Sequence, residues 1–300
     1  MAERRQEISF NGPTTVGAQG FGDGSSVVGS VASGPLAPAA GSAAKELSRT
    51  LIVVVPDVER TAVLEQVRAL TGTAPVRRHL PLHTVYELGR ISATEVMLAQ
   101  VGQGTVRPDS GAAAVTELIS ELRPDHILLT GICYGLKERD PSWGQRLGDV
   151  VVAEQLRLIG HQRVGQAGDE GEVTYQSRGG EVHPSPKLVD RFRSAGLDWR
   201  GTAAVHTGPV LSESVLVDST TYRQRLIAQH PEAIAGEMEG AGVYAAAMRG
   251  KVDWGLVKGI SDFGYAKSYR HQAMAAGNAA SFVVHMMAVG GLDPVVGVGQ

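Results

Sequence analysis

From Leu51 onwards, short apolar runs that end in Gly or Pro alternate with segments whose apolar residues recur at helical spacing. The short runs are rich in β-branched residues, which predicts buried strands in "LIVVVP", "EVMLAQVGQG", "DHILLTGICYG", "LGDVVVAEQL", "GTAAVHTGPVL" and "WGLVKGISD". The periodic segments predict helices in "ERTAVLEQVRAL", "SGAAAVTELISEL", "KLVDRFRSAG", "GEMEGAGVYAAAM" and "AMAAGNAASFVVHMMA". Strands that alternate with helices predict an α/β domain whose largely parallel sheet is covered on both faces.

Composition narrows the class of protein further. The chain has 300 residues, of which 43% are hydrophobic and 20% charged, with a net charge of −3, so a nucleic-acid binder is not expected. Cys133 is the only cysteine, which excludes an intrachain disulfide and a Cys-based zinc site and suits a cytoplasmic location. No apolar stretch follows the charged N-terminal residues, and no run approaches the roughly 20 apolar residues of a membrane helix. We expect neither a secretory signal nor a membrane partner.

The nine histidines raise the question of a metal site, but their spacing does not support one. His79 and His83 form the closest pair, and Pro81 between them would break the helix needed to align them. We therefore expect no metal ligands and no cofactor.

Residues 1–48 differ in composition from the rest of the chain. The stretch "GAQGFGDGSSVVGSVASGPLAPAAGSAA" cannot bury enough apolar surface to offset its ordering entropy. We expect a flexible tail or linker at 1–48, a folded domain at 49–292 and a flexible C-terminus at 293–300. The alternative for the first segment is an assembly motif, because its weakly charged, β-prone stretches around Phe10 and Val27 can pair edge to edge.

Ligands in open α/β sheets bind at the carboxyl ends of the strands, so the residues that follow the predicted strands are the candidate site. These are Glu59, residues 102–104, 131–135 and 212–217, and Ser261 with Asp262. An acid at the end of an apolar strand can be partly desolvated, which would raise the pKa of Asp262 and let it carry a proton. The alternative is that Ser261 or Asp262 caps the start of a helix.

The segment "GEMEGAGVYAAA" combines two acids with small residues. Glu237 and Glu239 would point to different sides of a helix, and at its first turn the dipole stabilises each by roughly 0.3–1 kcal/mol. Two first-turn acids with only this role are the simplest interpretation. The functional alternative gives one of them a hydroxylated ligand, with Gly240 and Gly242 letting the helix lie close to the sheet.

The segments "GEMEGAGVYAAA" and "GLVKGISDFG" resemble the "E-M-E-(small)…(R/K)-x-I-S-D" signature of the nucleoside phosphorylase and nucleosidase superfamily. The resemblance extends to "VGQGTVRPDSGAAAVTELISELRPDHILLTGICYGL", "LGDVVVAE" and "HTGPVLSES", and so covers roughly residues 51–290. Within the superfamily the chain is most similar to methylthioadenosine/S-adenosylhomocysteine nucleosidases and their relatives used as bacterial effector domains. This implies a single three-layer α/β domain with a mixed, largely parallel central sheet flanked by helices. The N-terminal segment resembles those that template the assembly of some bacterial immune effectors.

The resemblance also implies roles for matching positions. Glu239 is expected to bind the ribose 2′- and 3′-hydroxyls and to stabilise positive charge as the ribose becomes oxocarbenium-like. Met238 is expected to pack against the ribose. Asp262 is expected to hydrogen-bond or protonate N7 of the leaving purine. Glu59 corresponds to the acid that orients and deprotonates the attacking water, although Asp57 offers a second carboxylate nearby.

The base pocket is expected to come from residues 212–217, with Leu216 near the ring where the family often has an aromatic residue. The remaining binding residues implied are Val217, Ser261, Gly131, Cys133 and Tyr134. Cys133 has no basic neighbour in sequence to lower its pKa, so it is expected to be part of the pocket wall rather than a nucleophile.

The implied function is hydrolysis of the N-glycosidic bond of a purine nucleoside or nucleotide, with adenine as the base, in a bacterial defence or signalling effector. A phosphate-dependent phosphorylase is the first alternative, but Leu129 and Ile132 stand where phosphorylases carry Arg and Ser, and an apolar pair cannot solvate phosphate. Arg107 remains a candidate contact for phosphate or for the substrate's 5′ group. An inactive nucleoside-binding or assembly module is the second alternative. Homo-oligomerisation, and a sensor partner bound through residues 1–48, are also expected.

Overall fold

The computed structural model describes residues 47–103, 110–138, 144–167 and 172–294. Its strands are β1 (Ser48–Val54), β2 (Val76–His79), β3 (Thr84–Ile91), β4 (Thr94–Gln100), β5 (His126–Gly135), β6 (Val150–Leu158), β7 (Gln162–Ala167), β8 (Glu172–Ser177), β9 (Glu181–Val182), β10 (Val205–Ser212), β11 (Ala235–Glu237) and β12 (Asp253–Asp262). Its helices are α1 (Asp57–Thr71), α2 (Gly111–Leu122), α3 (Pro186–Gly196), α4 (Thr220–Gln229), α5 (Gly240–Gly250) and α6 (Gln272–Ala288), with a short 3₁₀ helix at Tyr269–His271.

The large sheet has the strand order β11-β10-β6-β12-β5-β1-β4-β3-β2. Parallel pairings join β4, β1, β5 and β12, and a second parallel set joins β6, β10 and β11. Antiparallel pairings link the two sets and attach β3 and β2 at the far edge. The predicted mixed α/β sheet is therefore confirmed, with the antiparallel pairs concentrated where the two sets meet and at the β2–β3 hairpin.

Strand β11 also closes the sheet on itself. It pairs with β10 on one side and with the end of β5 on the other, where Gly236 lies opposite Tyr134. A Cβ at position 236 would stand 2.1 Å from the Tyr134 ring, so glycine is needed for this approach. Because β11 joins both partners, the ends of β5, β11 and β12 surround one cavity.

Two layers of helices cover the sheet, one on each face. Successive residues of β1 point to opposite layers. Leu51 and Val53 face the cluster that includes α2 and α5, whereas Ile52 and Val54 face the cluster that includes α1, α3 and α6. A strand that is buried on both faces reads as a continuous apolar run, which is why "LIVVV" lacks polar alternation. The three-layer arrangement predicted from the sequence is confirmed.

Several predictions about local structure were wrong or incomplete. Helix α5 begins at Gly240, not at Gly236, because Glu237 is the last residue of β11. No helix begins at Ser261 or Asp262, which end β12, so the capping alternative for them is wrong. The sequence reading also missed the β2–β3 and β7–β8 hairpins, β9, α4 and β11.

Hydrogen bonds connect the beginning and the end of the described domain. Ser48 belongs to β1, and its hydroxyl donates to the carbonyl oxygen of Leu292. Asp293 accepts hydrogen bonds from the hydroxyl of Ser92 and from the N–H of Ala93, which link it to the turn between β3 and β4. Residues 1–46 and 295–300 lie outside the described residues. None of the described helices is long and apolar enough to cross a bilayer.

Candidate active site

A cavity of about 980 Å³ opens where the ends of the central strands meet. Its walls come from the ends of β1, β4, β5, β11 and β12, from α1, from the turn between β2 and β3, and from residues 215–218 and 267–272. Glu59, Glu239 and Asp262 all line it. Three acids that lie far apart in the sequence therefore converge on one space.

Glu59 reaches this space from the first turn of α1, and its side chain is buried. Oε2 accepts the N–H of Val55 and Oε1 accepts the N–H of Ile132, each at 2.8 Å. A Cβ on Gly131 would lie 1.9 Å from Oε1, so the carboxylate occupies space that only a glycine at 131 leaves open. Asp57, the sequence alternative, is 78% exposed and bonds Gln100 and Arg60 instead.

Glu237 and Glu239 have different environments although both are buried. Glu237 Oε2 accepts the N–H groups of Glu239 and Gly240 at 2.9 and 2.8 Å, and thereby satisfies two donors at the start of α5. The Ser212 hydroxyl accepts a third, from Ala241. Glu239 is the N-cap residue but makes no side-chain cap bond, so its carboxylate is left to face the cavity.

Asp262 ends β12 with both carboxylate oxygens engaged. Oδ1 accepts the N–H of Gly264 and Oδ2 accepts the hydroxyl of Ser261, each at 2.9 Å. The Lys267 ammonium lies 3.7 Å from Oδ2. These contacts hold the carboxylate against the cavity wall, and Lys267 also lines the cavity. Lys267 was not singled out from the sequence.

Lys258 is a second residue of this region that was given no role from the sequence, although it stands at the (R/K) position of the signature. It lies on β12, is 1% exposed, and places its Nζ 3.9 Å from Glu59 Oε1 and 3.8 Å from Glu239 Oε2. A single lysine within the otherwise apolar run "GLVKGISD" was the signal that could have identified it, since buried lysines require charged partners.

Burial and mutual proximity shift the pKa values of this group. Desolvation raises the pKa of Glu239 to about 7, with Lys258 opposing the shift and Glu237 and Glu59 adding to it. Desolvation also raises the pKa of Glu59, again against the effect of Lys258. Burial would lower the pKa of Lys258, but the three glutamates outweigh it and bring the value to about 12. The lysine therefore stays charged at neutral pH.

The other predicted binding residues are distributed around the same cavity. Its lining includes Met238, Cys133, Tyr134, Ser261, Leu216 and Val217. Leu216 is 59% exposed and lies at the mouth, whereas Val217 is buried. Desolvation raises the pKa of the Cys133 thiol far above its usual range, as expected for a wall residue rather than a nucleophile.

Two residues differ from their predicted placement, and a third cannot be compared. Gly131 does not line the cavity but makes room for Glu59. Ser212 does not line it either, because its hydroxyl caps α5. Arg107 lies outside the described residues. Within the described ranges, no group of three or more His, Cys, Asp or Glu side chains is arranged to hold a metal ion.

The chain has detectable similarity to known proteins. A "Death domain-containing ATP nucleosidase" of Amphimedon queenslandica is 27% identical over 256 residues, which cover 78% of this chain but only 47% of that protein, so the chain spans about half the length of this relative. A 5′-methylthioadenosine/S-adenosylhomocysteine nucleosidase of Maridesulfovibrio salexigens is 26% identical over 207 residues, covering 67% of this chain and 85% of the relative.

Among solved structures, the 5′-methylthioadenosine/S-adenosylhomocysteine nucleosidase of Colwellia psychrerythraea 34H in complex with adenine has the same fold, with a TM-score of 0.66. The two proteins are 21% identical, and the match covers 84% of this chain and 98% of the other. A family model described as the phosphorylase superfamily matches residues 50–298, which is most of the chain. From that match, this protein belongs to the phosphorylase superfamily.

Proposed function

We propose that the chain hydrolyses the N-glycosidic bond of a purine nucleoside or nucleotide and releases the free base. The observation that carries this proposal is the convergence of Glu59, Glu239 and Asp262 on one cavity, with Lys258 directly behind the two glutamates. Relatives that share the superfamily are named as nucleosidases, which supports hydrolysis of the same class of bond.

In this mechanism the bond between C1′ of the ribose and N9 of the purine breaks before water is fully bonded. Asp262 donates a proton to N7 as the bond breaks, so the purine leaves as a neutral base. Glu239, ionised, binds the ribose hydroxyls and stabilises the positive charge that develops on the sugar. Met238, beside Glu239 on the cavity wall, packs against the ribose.

Glu59 takes a proton from the water that attacks C1′, so the products are the free base and the free sugar with its 5′ group unchanged. Its carboxylate already accepts the hydrogen bond of the Ile132 N–H and fills the space beside Gly131. A phosphate bound there could not accept a hydrogen bond from this N–H and would be repelled by the Glu59 carboxylate. This arrangement favours water over phosphate as the nucleophile and counts against the phosphorylase alternative.

The purine lies between Tyr134, Val217 and the end of β12 at Ser261 and Asp262, with Leu216 at the mouth. We propose adenine as the base, because a solved neighbour of the same fold binds adenine. The 5′ substituent is a hydroxyl, a thioether or phosphates. The similarity to a protein named as an ATP nucleosidase adds ATP to the substrates to be tested.

The wider setting remains part of the proposal. We infer a cytoplasmic homo-oligomer in which residues 49–292 form the catalytic domain and residues 1–48 are a linker or assembly motif that links it to a sensor, as in a bacterial defence effector. An inactive binding module is the alternative of another class. The buried Glu59 and Glu239, which share the Lys258 cation, and the buried Asp262 argue against it, because an inert module gains nothing from desolvating these acids.

The test is incubation with adenosine, methylthioadenosine, AMP and ATP, with and without phosphate, while free base is measured by chromatography. Base release without phosphate is expected for at least one of them. Glu59→Gln, Glu239→Gln and Asp262→Asn should each lower the rate by about 10²- to 10⁴-fold. Asp57→Asn is the matched control and should leave the rate unchanged, since Asp57 is exposed. Wild-type rates in Glu239→Gln and Asp262→Asn would refute the assigned roles.

A further inference from the structure

Lys258 is a buried cation without a hydrogen-bond partner among the described residues. Its Nζ is enclosed, and no acceptor among the residues that the structure describes lies within hydrogen-bonding distance. The two nearest carboxylates, those of Glu59 and Glu239, are almost equidistant at 3.9 and 3.8 Å. An ammonium placed between two acids without bonding either acts on both through its charge.

Three glutamates face this single lysine. Glu59 faces it from α1, Glu239 from the start of α5 and Glu237 from the end of β11, while the Cys133 thiol lies on the adjacent strand β5. Glu237 is held by the two N–H groups at the start of α5. Glu59 and Glu239 are therefore the acids whose ionisation depends most directly on Lys258.

We propose that Lys258 is a positioning residue that sets the lower pH limit of activity, because its single charge keeps Glu59 and Glu239 ionised together. The inference rests on the proposed function, which needs Glu239 ionised to bind the ribose and Glu59 ionised to accept a proton. Lys258 touches neither substrate nor water in this account. It acts through the two glutamates.

The direction of the effect follows from the sign of the charge. An opposite charge within about 4–6 Å lowers the pKa of a carboxyl group by about 1–3 units. The pKa of Glu239 is about 7 with Lys258 in place. Without that charge, the pKa values of both glutamates would lie higher, and the acid limb of the activity profile would move to higher pH.

The decisive variants are Lys258→Met, which removes the charge from a chain of similar length, and Lys258→Arg, which retains it. Glu239 is titrated directly by ¹³C NMR on protein labelled at the glutamate carboxyl carbon, with its signal identified by its loss in Glu239→Gln. Lys258→Met should raise the midpoint by about one to three pH units, and Lys258→Arg by much less. The acid limb of the kcat/KM profile should move by the same amount as the midpoint. At a pH well below the midpoint, each unit of upward shift should lower kcat/KM about tenfold.

A second variant keeps the test valid if Lys258→Met does not fold. Lys258→Gln also removes the charge but keeps a polar side chain, so the midpoint of Glu239 should again rise by about one to three pH units. Glu59→Gln removes a like charge instead, so the midpoint of Glu239 should fall by at least about half a unit. An unchanged Glu239 midpoint in a folded Lys258→Met or Lys258→Gln overturns the inference. Failure of the wild type to release base would refute the proposed function instead, and the titration would still decide the role of Lys258.

Discussion

Replacing Gly131 with alanine should remove activity although every acid of the site is retained. The Cβ of the new residue would stand 1.9 Å from Glu59 Oε1 and 2.1 Å from its Cδ. Non-bonded carbon and oxygen atoms do not approach so closely, so the carboxylate must leave its place. It would then lose its bonds to the N–H groups of Val55 and Ile132.

The magnitude follows from those two bonds and from the lost proton acceptor. A hydrogen bond to a charged group contributes roughly 1.5–3 kcal/mol, and removing the carboxylate from its buried place offsets part of the loss. We expect the free energy of unfolding to fall by about 3 kcal/mol. Displacing a general base lowers the rate by about 10²- to 10⁴-fold.

The assay compares the rate of base release and urea unfolding for Gly131→Ala with the same change at Gly277. A Cβ at Gly277, within α6, meets no atom within 4 Å, so Gly277→Ala should keep full activity and gain up to about 1 kcal/mol. Suppose that Gly131→Ala retains wild-type turnover while Glu59→Gln is inactive. Glu59 would then work without the space at Gly131, and the reasoning would be refuted.

Three further changes test other parts of the structure. Glu237→Ala should lower the free energy of unfolding by about 1–2 kcal/mol in a urea titration, because α5 loses its cap; unchanged stability would contradict the capping role. Glu239 has a pKa of about 7 in the folded chain against 4.5 when exposed, so its contribution to stability is fully present below pH 4.5 and lost as the pH rises through 7. Glu239→Gln should therefore match the wild type near pH 4.5 and exceed it by up to roughly 3 kcal/mol at pH 8; thermal unfolding at both pH values would show this, and an equal difference at both would contradict it. Asp293→Ala should cost about 1–3 kcal/mol, because it removes acceptors from Ser92 and Ala93, and an unchanged urea midpoint would show that the C-terminal end is not anchored there.

The layered α/β architecture could be predicted because the strands are buried on both faces and the helices have apolar periodicity. The run from Leu51 to Val55 and the segment around Leu118 are long enough for these signals to dominate. Strands β2, β7 and β8 were missed because Val76, Val164 and Val173 are exposed, so these strands lack the alternation of a half-buried sheet. Strand β3 was missed because its buried residues recur every third position, across a register irregularity between Glu87 and Arg90.

The acids of the site could be named from the sequence, but their separate roles depend on tertiary contacts. Glu237 and Glu239 are two residues apart, and only the pairing of β11 with β5 and β10 puts one on a strand and the other at a helix start. Glu59 fills the space beside Gly131, which is 72 positions away in the sequence, and accepts a hydrogen bond from Ile132, which is 73 positions away. No local pattern encodes such a contact.

The most direct test of the central claim is the fate of the sugar. Wild-type protein is incubated with adenosine or ATP in ¹⁸O-labelled water with excess phosphate, and the sugar product is analysed by mass spectrometry. We predict free ribose, or its 5′-phosphorylated form, carrying one ¹⁸O at C1′ and produced at a rate that does not depend on phosphate. An unlabelled ribose 1-phosphate whose formation requires phosphate would contradict the account.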